Sequence, residues 1–502
     1  MRPANIVFIH AESMDGRKMG CMGHPALQRA TPNMDRLAAN GTLFSNAYSN
    51  CPVCNPSRAS MWTGKYPHFR DCWNNYEGLR EDVKTYQDAL QWAGYRTRAI
   101  GPIDYAYGKH SIRDRIGSWT RSAMIERPSV RTPLPQIVGP GEANERDWQH
   151  TWDAVREIGE AARDGRPFCT YLTTGLVHPA FIAEQRHLEL IDAQAIDVPP
   201  LFGLEDTIHP AVRYQRIAKN CAREFSPQLV RHMRHVYFAM IAALDEMVGR
   251  VMQQIDDLGL TDSTYVIFSS DHGEMAGEQN QVLKRCMYEA SSHVPLIIAG
   301  PDVRRGAVVD TPVSLVDLYP TLMDMAGIDY DSLAARSGYA DVLDGESLMP
   351  QLANGTPRQR DWAMAEYHGD RACTGTFMLR QDRWKLIRHM GFDSELYDVE
   401  ADPGEQNDLG LVHSDVAARL EGVLDAHFDC AGIDARAKDY DCASFVRWRA
   451  MAKADGFYEE TMSHVFSGYD RQSIEELELW TAADEERIDA WLARALPRLA
   501  SI

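Results

Sequence analysis

Short apolar runs alternate with amphipathic segments of helical spacing along the first two thirds of this chain. The apolar runs predicted as strands are residues 5–10, 42–49, 96–101, 168–175, 264–271 and 294–301. Helices are predicted at residues 31–41, 85–93, 226–259 and 314–326. Because parallel strands need long crossover connections, usually helices, this alternation predicts an α/β fold with a central, mostly parallel sheet covered on both faces.

The pattern changes after residue 365. Three short runs separated by turns, at residues 374–380, 383–389 and 395–398, predict a small antiparallel sheet. A helix follows, with Ser414 as its predicted N-cap and Phe428 near its end. We therefore divide the chain into a catalytic α/β domain (1–365), a small C-terminal sheet and helix (366–428) and a helical tail (429–502).

The tail carries more large apolar side chains than a solvated extension can accommodate. They are Trp448, Phe457, Tyr458, Phe466, Trp480 and Trp491. We expect the tail to pack on the core or on a neighbour, and dimerisation, giving a homo-oligomer, is the favoured use.

Composition limits the partners of the chain. The net charge is −20 at pH 7, which argues against general binding to nucleic acid or to an anionic membrane surface. No run is long and apolar enough to span a bilayer, and the first predicted strand leaves no room for a targeting segment. Ten cysteines in 502 residues do not indicate a disulfide scaffold. We expect a soluble cytoplasmic protein.

The stretch around Cys54 predicts a reactive site. Pro56 suits the first turn of a helix and Gly64 its end, so Cys54 should lie just before a helix N-terminus, where anions are favoured. Arg58 returns to the same helix face four residues later. A nucleophile, a cation and a helix start suit a sulfate or phosphate ester. The alternatives are a redox or zinc pair formed with Cys51, or a buried thiol without a function.

The string Cys54-x-Pro56-Ser57-Arg58, with Thr63 and Gly64, resembles the sulfatase signature, in which the cysteine is oxidised to formylglycine. The resemblance implies an alkaline phosphatase-like sandwich, a formylglycine-generating enzyme as maturation partner, and hydrolysis of a sulfate monoester to an alcohol and inorganic sulfate. Further stretches are similar to the arylsulfatase K-like sulfatases, which implies aryl or sugar and uronate sulfates as substrates. They are residues 73–79, 94–112, 146–149, 270–284 and 287–296.

The family resemblance also implies a divalent metal. Asp271 and His272 end a predicted strand, where open α/β sheets bind ligands, although an aspartate there could equally cap a helix. Glu12 and Ser13 stand where most sulfatases have two aspartates. The implied ligands are therefore Glu12, Asp271, His272 and Cys54, with Ser13 offering only a neutral hydroxyl. The resemblance implies Ca²⁺, and the histidine makes Mn²⁺ the alternative.

Two further residues receive catalytic roles from the resemblance. Lys284 lies at the family's spacing after Asp271, where a lysine contacts the sulfate. His178 precedes a proline in a context that the family uses to touch the ester or its leaving group. Without the resemblance, an exposed lysine and a structural histidine are the simpler interpretations.

One departure from the family pattern keeps an alternative function open. Pro102 stands where sulfatases usually carry a lysine, and Lys109 or His110 is the predicted replacement. Phosphonate monoester hydrolases of the same superfamily also lack that lysine, and they direct an asparagine at the substrate, for which Asn75 or Asn74 is the counterpart. A non-catalytic binding protein of the same fold is the other alternative.

Overall fold

The computed structural model describes residues 3–105, 112–126, 134–202, 208–330, 332–333, 342–466 and 480–499. Its strands are β1 Asn5–Ala11, β2 Gly41–Phe44, β3 Ala47–Tyr48, β4 Arg96–Ile100, β5 Gln136–Val138, β6 Phe168–Thr173, β7 Ile182–Glu184, β8 Thr264–Ser270, β9 His293–Val294, β10 Leu296–Ala299, β11 Ala307–Val309, β12 Val313–Ser314, β13 Trp362–Tyr367, β14 Thr376–Gln381, β15 Trp384–His389 and β16 Glu395–Asp398.

Helices connect and flank these strands. They are α1 Pro32–Ala39, α2 Cys54–Thr63, α3 Tyr86–Trp92, α4 Ile112–Trp119, α5 Glu145–Asp164, α6 Gln185–Leu188, α7 Pro210–Ala218, α8 Pro227–Asp257, α9 Glu289–Ser292, α10 Leu318–Met325, α11 Met349–Asn354, α12 Ser414–His427, α13 Cys430–Ala454, α14 Tyr458–Phe466 and α15 Ala482–Leu499. Among the helices of the described residues, none has the length and apolar character needed to cross a membrane.

The central sheet has seven strands among the described residues, in the order β11-β2-β10-β8-β1-β6-β4. Strand β1 pairs in parallel with both β6 and β8. Strand β10 runs antiparallel to both of its neighbours, β8 and β2. The predicted mostly parallel α/β sheet is therefore confirmed, with one reversed strand.

Alternating side chains of β1 reach two separate cores. Val7 and Ile9 belong to the core that contains the buried face of α8, whereas Ile6 and Phe8 pack into the opposite core with Trp62 of α2. The side chains of these four β1 residues are fully buried. Helices therefore cover both faces of the sheet, which explains why its strands read as continuous apolar runs.

The C-terminal sheet is antiparallel, with the order β13-β14-β15-β16. Its first strand, β13, was not predicted, and the proposed domain boundary after residue 365 falls inside it. Ser414 is the first residue of α12 and His413 is its N-cap, one position earlier than predicted. Leu420 and Leu424 of α12 pack on this sheet in a shared core.

The tail helices α13, α14 and α15 pack within the chain. Phe445, Trp448 and Trp491 share a buried cluster with Ile116 and Trp119 of α4. The aromatic residues behind the dimer prediction are thus covered by the chain itself, and the dimer stays a prediction.

Candidate active site

Helix α2 presents Cys54 at its first position. Val53 is the N-cap, all ten residues of the helix are buried, and Gly64 ends it with φ 64°. Cys54 was predicted just before the helix, a difference of one residue that lies within the usual uncertainty of helix ends. The side chain thus lies among the free N–H groups of a helix N-terminus.

Two neighbouring strand ends supply groups to Cys54. Glu12 follows β1 and His272 follows β8, and these strands are parallel neighbours. The Cys54 Sγ atom lies 3.2 Å from Glu12 Oε1 and 3.3 Å from His272 Nε2. Burial raises the pKa of the Cys54 thiol well above its ordinary value. An unmodified thiol here stays protonated and is therefore a poor nucleophile.

Asp271 is held as a carboxylate. It accepts hydrogen bonds from the backbone N–H groups of Ser13 (3.2 Å) and His272 (2.9 Å). Burial alone would raise the pKa of Asp271, but the adjacent His272 ring and the Arg58 guanidinium favour the carboxylate and outweigh burial, so the pKa falls below its usual range.

The His272 ring is neutral and directs one nitrogen at Cys54. Burial lowers the pKa of His272 to about 3. Its Nδ1 atom lies 2.9 Å from the Gly273 carbonyl oxygen, to which it donates in the neutral ring. The lone pair is then on Nε2, which faces Cys54 and can bind a metal ion.

Arg58 is fully buried and its guanidinium is fixed on several sides. Its Nε donates to Asp271 Oδ2 at 2.9 Å. Its Nη1 donates to the Pro102 carbonyl at 2.6 Å and to Thr173 Oγ1 at 2.9 Å, and its Nη2 lies 3.5 Å from Glu12 Oε2. The segment that lacks the family's lysine therefore supplies an oxygen to Arg58.

Lys284 is 1% exposed, so the interpretation as a solvent-exposed lysine is wrong. Its ammonium group makes no hydrogen bond within the described part of the chain, and its charge lowers the pKa of His178 and of His272. It lies in an irregular loop that Glu274 holds by accepting hydrogen bonds from the N–H groups of Ala276 and Leu283. Lys284 is thus a buried cation available to an anionic ligand.

His178 borders the same site. Its Nε2 lies 3.9 Å from Glu12 Oε1, and the side chain is 34% exposed. Desolvation, followed by the charge of Lys284, lowers its pKa well below the usual range. Ser13, by contrast, has a buried hydroxyl that finds no hydrogen-bond partner in the part of the chain that the structure describes.

Comparison with known proteins decides the family. The family model described as Sulfatase matches residues 4–328. The chain belongs to the sulfatase family. A second model, N-sulphoglucosamine sulphohydrolase, C-terminal, matches residues 277–426. Arylsulfatase K of Gallus gallus is 34% identical over 468 residues, which cover 89% of this chain and 86% of that protein. This sulfatase is an enzyme that hydrolyses sulfate monoesters.

Solved structures agree with the fold of this sulfatase. The phosphonate monoester hydrolase of Agrobacterium radiobacter has a TM-score of 0.68 at 24% identity and covers 86% of this chain and 96% of its own. A protein in complex with its substrate D-glucosamine-2-N,6-O-disulfate has a TM-score of 0.67 at 22% identity and covers 85% and 97%. The predicted alkaline phosphatase-like sandwich is confirmed.

One of the two asparagines predicted to bind substrate, Asn75, supports the reactive helix of this sulfatase. Asn75 Oδ1 accepts a hydrogen bond from the backbone N–H of Asn55 at 3.1 Å, which satisfies one free donor of the α2 N-terminus. Asn74 Oδ1 accepts from the Tyr76 N–H at 2.9 Å, and its buried amide nitrogen has no hydrogen-bond partner in the described ranges. Lys109 and His110 lie outside the described residues.

Several contributors to the site were not predicted. The hydroxyls of Ser49 and Ser57 both donate to the Asp271 carbonyl at 2.6 Å. The Tyr237 hydroxyl, on α8, donates to the Ser13 carbonyl at 2.9 Å and accepts from the Asp15 N–H at 3.0 Å. Their partners are distant in sequence, so no local pattern marks them.

Asp15 is separated from the site by its own ion pair. Its carboxylate lies 2.7 Å from Arg17 Nη2, and the Asp15 side chain is 1% exposed. The Asp15 carboxylate is therefore engaged by Arg17 rather than directed at Cys54.

Proposed function

We propose that this sulfatase depends on formylglycine formed from Cys54 and on a divalent metal ion held beside it. The observation that carries the proposal is the position of Cys54, within 3.2 Å of Glu12 and 3.3 Å of His272 at the start of a helix. Formylglycine at this position would supply the nucleophilic oxygen, and the cation would supply positive charge for the sulfate oxygens. Oxidation of the cysteine requires a formylglycine-generating enzyme.

The donor set fits a divalent cation. Possible ligand atoms of Cys54, Asp271 and His272 all lie within 4.8 Å of one another, as do those of Glu12, Cys54 and His178. Two carboxylates and one imidazole nitrogen are suitable ligands for Ca²⁺ and for Mn²⁺, and we favour Ca²⁺. We assign Glu12, Asp271, His272 and residue 54 as ligands, with the unpartnered Ser13 hydroxyl beside them.

The cationic side chains have different tasks in this proposal. Arg58 holds Asp271 and Glu12 in place and offsets their charge, because its guanidinium is already bonded to protein groups. Lys284 keeps its donors free for the sulfate oxygens, where negative charge grows in the transition state.

Proton transfer to the leaving oxygen is assigned to His178. Because burial and the charge of Lys284 lower its pKa in the protein alone, His178 must take up its proton when the anionic substrate is bound. It is a half-buried imidazole next to Glu12, and possible ligand atoms of His178, Glu12 and Cys54 lie within 4.8 Å of one another. His110 is the alternative donor. Asn75, Asn74 and Lys109 are assigned to substrate binding.

The substrate class follows from the relatives. Their identity of about one third over most of the chain supports an aryl or sugar sulfate, including uronate sulfates. Phosphonate monoester hydrolysis is the second candidate, and the observation that favours it is Pro102, which contributes only a carbonyl to Arg58. A homo-oligomer and a cytoplasmic location remain further proposals.

Two measurements test the proposal. Peptide mass spectrometry should find residue 54 as formylglycine in active enzyme, and activity with only unmodified cysteine would overturn the mechanism. On one preparation, kcat/KM for an aryl sulfate should exceed that for a phenylphosphonate ester. A phosphonate rate higher by about tenfold, or about 1.4 kcal/mol in barrier, would favour the second candidate.

A further inference from the structure

Tail helix α13 contacts the chain on both sides of the two asparagines, Asn74 and Asn75. The Tyr440 hydroxyl donates to Glu77 Oε1 at 2.9 Å. Arg436 donates from Nη2 to the His68 carbonyl at 2.6 Å, and its guanidinium lies 5.5 Å from the Trp73 ring centroid. The tail therefore contacts both ends of the segment that carries Asn74 and Asn75.

The segment that carries the two asparagines also contacts the reactive helix α2. Asn75 accepts from the N–H of Asn55, which directly follows Cys54. Tyr440 is thus linked to the first turn of α2 by its bond to Glu77, by the backbone from Glu77 to Asn75, and by the bond between Asn75 and Asn55. Glu77 is 5% exposed, and its second carboxylate oxygen has no hydrogen-bond partner among the described residues. The Tyr440 hydroxyl is therefore a main source of its stabilisation.

The same tail also packs on helix α4 and on the turn that follows it. Arg121 donates from Nε to Asp441 Oδ2 of α13 at 2.7 Å, and both side chains are buried. Apolar residues of α13 and α14 pack on α4, which begins at Ile112, two residues after His110. The tail therefore holds two separate parts of the catalytic domain, the segment from Trp73 to Glu77 and the region of α4 and Arg121.

We infer that the C-terminal tail is an internal support for the substrate side of the active site, and that Tyr440 and Arg436 are positioning residues for the segment from Trp73 to Glu77. The inference rests on the proposed function, because it takes Asn74 and Asn75 as substrate contacts. Loss of the Tyr440 bond frees Glu77 to move toward water, and Asn75 moves with it.

The tail offers a matched control for this test. The Tyr458 hydroxyl donates to Glu485 Oε2 at 2.8 Å, a tyrosine–glutamate bond that lies entirely within the tail. Tyr440→Phe and Tyr458→Phe each remove one such bond. We expect Tyr440→Phe to raise KM for 4-nitrophenyl sulfate by about three- to tenfold, with kcat and the melting temperature close to those of Tyr458→Phe. Tyr458→Phe should leave KM unchanged.

A second readout does not depend on activity. Hydrogen–deuterium exchange of the peptide spanning residues 73–79 should be faster in Tyr440→Phe and in Arg436→Met, and unchanged in Tyr458→Phe. Equal KM and equal exchange in Tyr440→Phe and Tyr458→Phe would overturn the inference. An inactive parent enzyme with the expected exchange difference would instead contradict the proposed function and keep the support role of the tail.

Discussion

Arg58 and Asp271 form a fully buried ion pair, with Nε of the arginine 2.9 Å from Oδ2 of the aspartate and neither side chain exposed. Arg58 belongs to α2 and Asp271 follows β8, so the pair joins the reactive helix to the central sheet. Burial of two charges is tolerated because each has further hydrogen-bond partners. The ion pair is therefore structural as well as electrostatic.

Arg58→Met should lower the free energy of unfolding by about 3–5 kcal/mol, because Asp271 would remain buried without its partner. The exposed pair between Arg36 and Asp256, with side chains 41% and 37% exposed, provides the control. Arg36→Met should cost less than about 1 kcal/mol. Urea unfolding of both variants measures the difference in the free energy of unfolding. Equal losses would show that the buried ion pair is not a main link between α2 and the sheet.

Lys284→Met should lower kcat/KM for an aryl sulfate by about 100-fold or more, the usual effect of removing one transition-state donor. Stability should not fall, because the described residues give its ammonium no hydrogen bond to lose. Lys385→Met is the opposite case, since Lys385 lies 2.9 Å from Glu289 and 3.0 Å from Glu405. It should lose stability by about 3 kcal/mol. A large stability loss in Lys284→Met would argue for a structural lysine.

The amount of bound metal should distinguish the roles of Glu12 and Asp15, two acidic residues that follow strand β1. Glu12→Gln removes a proposed ligand and should lower the bound divalent metal well below one equivalent per chain. Asp15→Asn should keep full metal content, because the Asp15 carboxylate pairs with Arg17. Elemental analysis after dialysis provides the measurement, and metal loss in Asp15→Asn alone would relocate the site.

Glu77 should make stability depend on pH. Burial raises its pKa to about 7 from an ordinary value of 4.5. The folded state therefore binds this proton more tightly, so its stabilising effect is complete below the ordinary pKa and is lost as pH rises through 7. Glu77→Gln keeps an oxygen for Tyr440. Below the ordinary pKa of 4.5, its free energy of unfolding should equal that of the parent. At pH 8.5 it should be more stable by about 1–3 kcal/mol, measured by urea unfolding across that range. A difference that does not change with pH would contradict the raised pKa.

Most of the fold could be predicted because each strand and helix carries a local signal. Helix α8 is an example, since Ser226 caps it as expected by accepting from the Leu229 N–H at 3.1 Å. The reversed direction of β10 could not be predicted, because an apolar run has the same pattern in either direction. Helix α5 was missed because its buried face consists largely of small or polar residues such as Thr151 and Ala154.

The site was predictable only where a motif marked it. The residues predicted around the metal, Glu12, Cys54, Asp271 and His272, do lie together, because they end or follow neighbouring elements of the sheet. The support that Thr173 gives to Arg58 crosses 115 residues of sequence, and its signal is a threonine in a strand, which is common. Contacts of this kind depend on the tertiary fold.

The hydrogen bond between Tyr440 and Glu77 spans 363 residues of sequence, which has a consequence for the order of synthesis. The ribosome makes the reactive helix and all the proposed metal ligands before any residue of α13. A chain released before Tyr440 would contain every group proposed for catalysis and lack the support of residues 73–77. The support of residues 73–77 is therefore made only after α13 has been synthesised, later than every group proposed for catalysis.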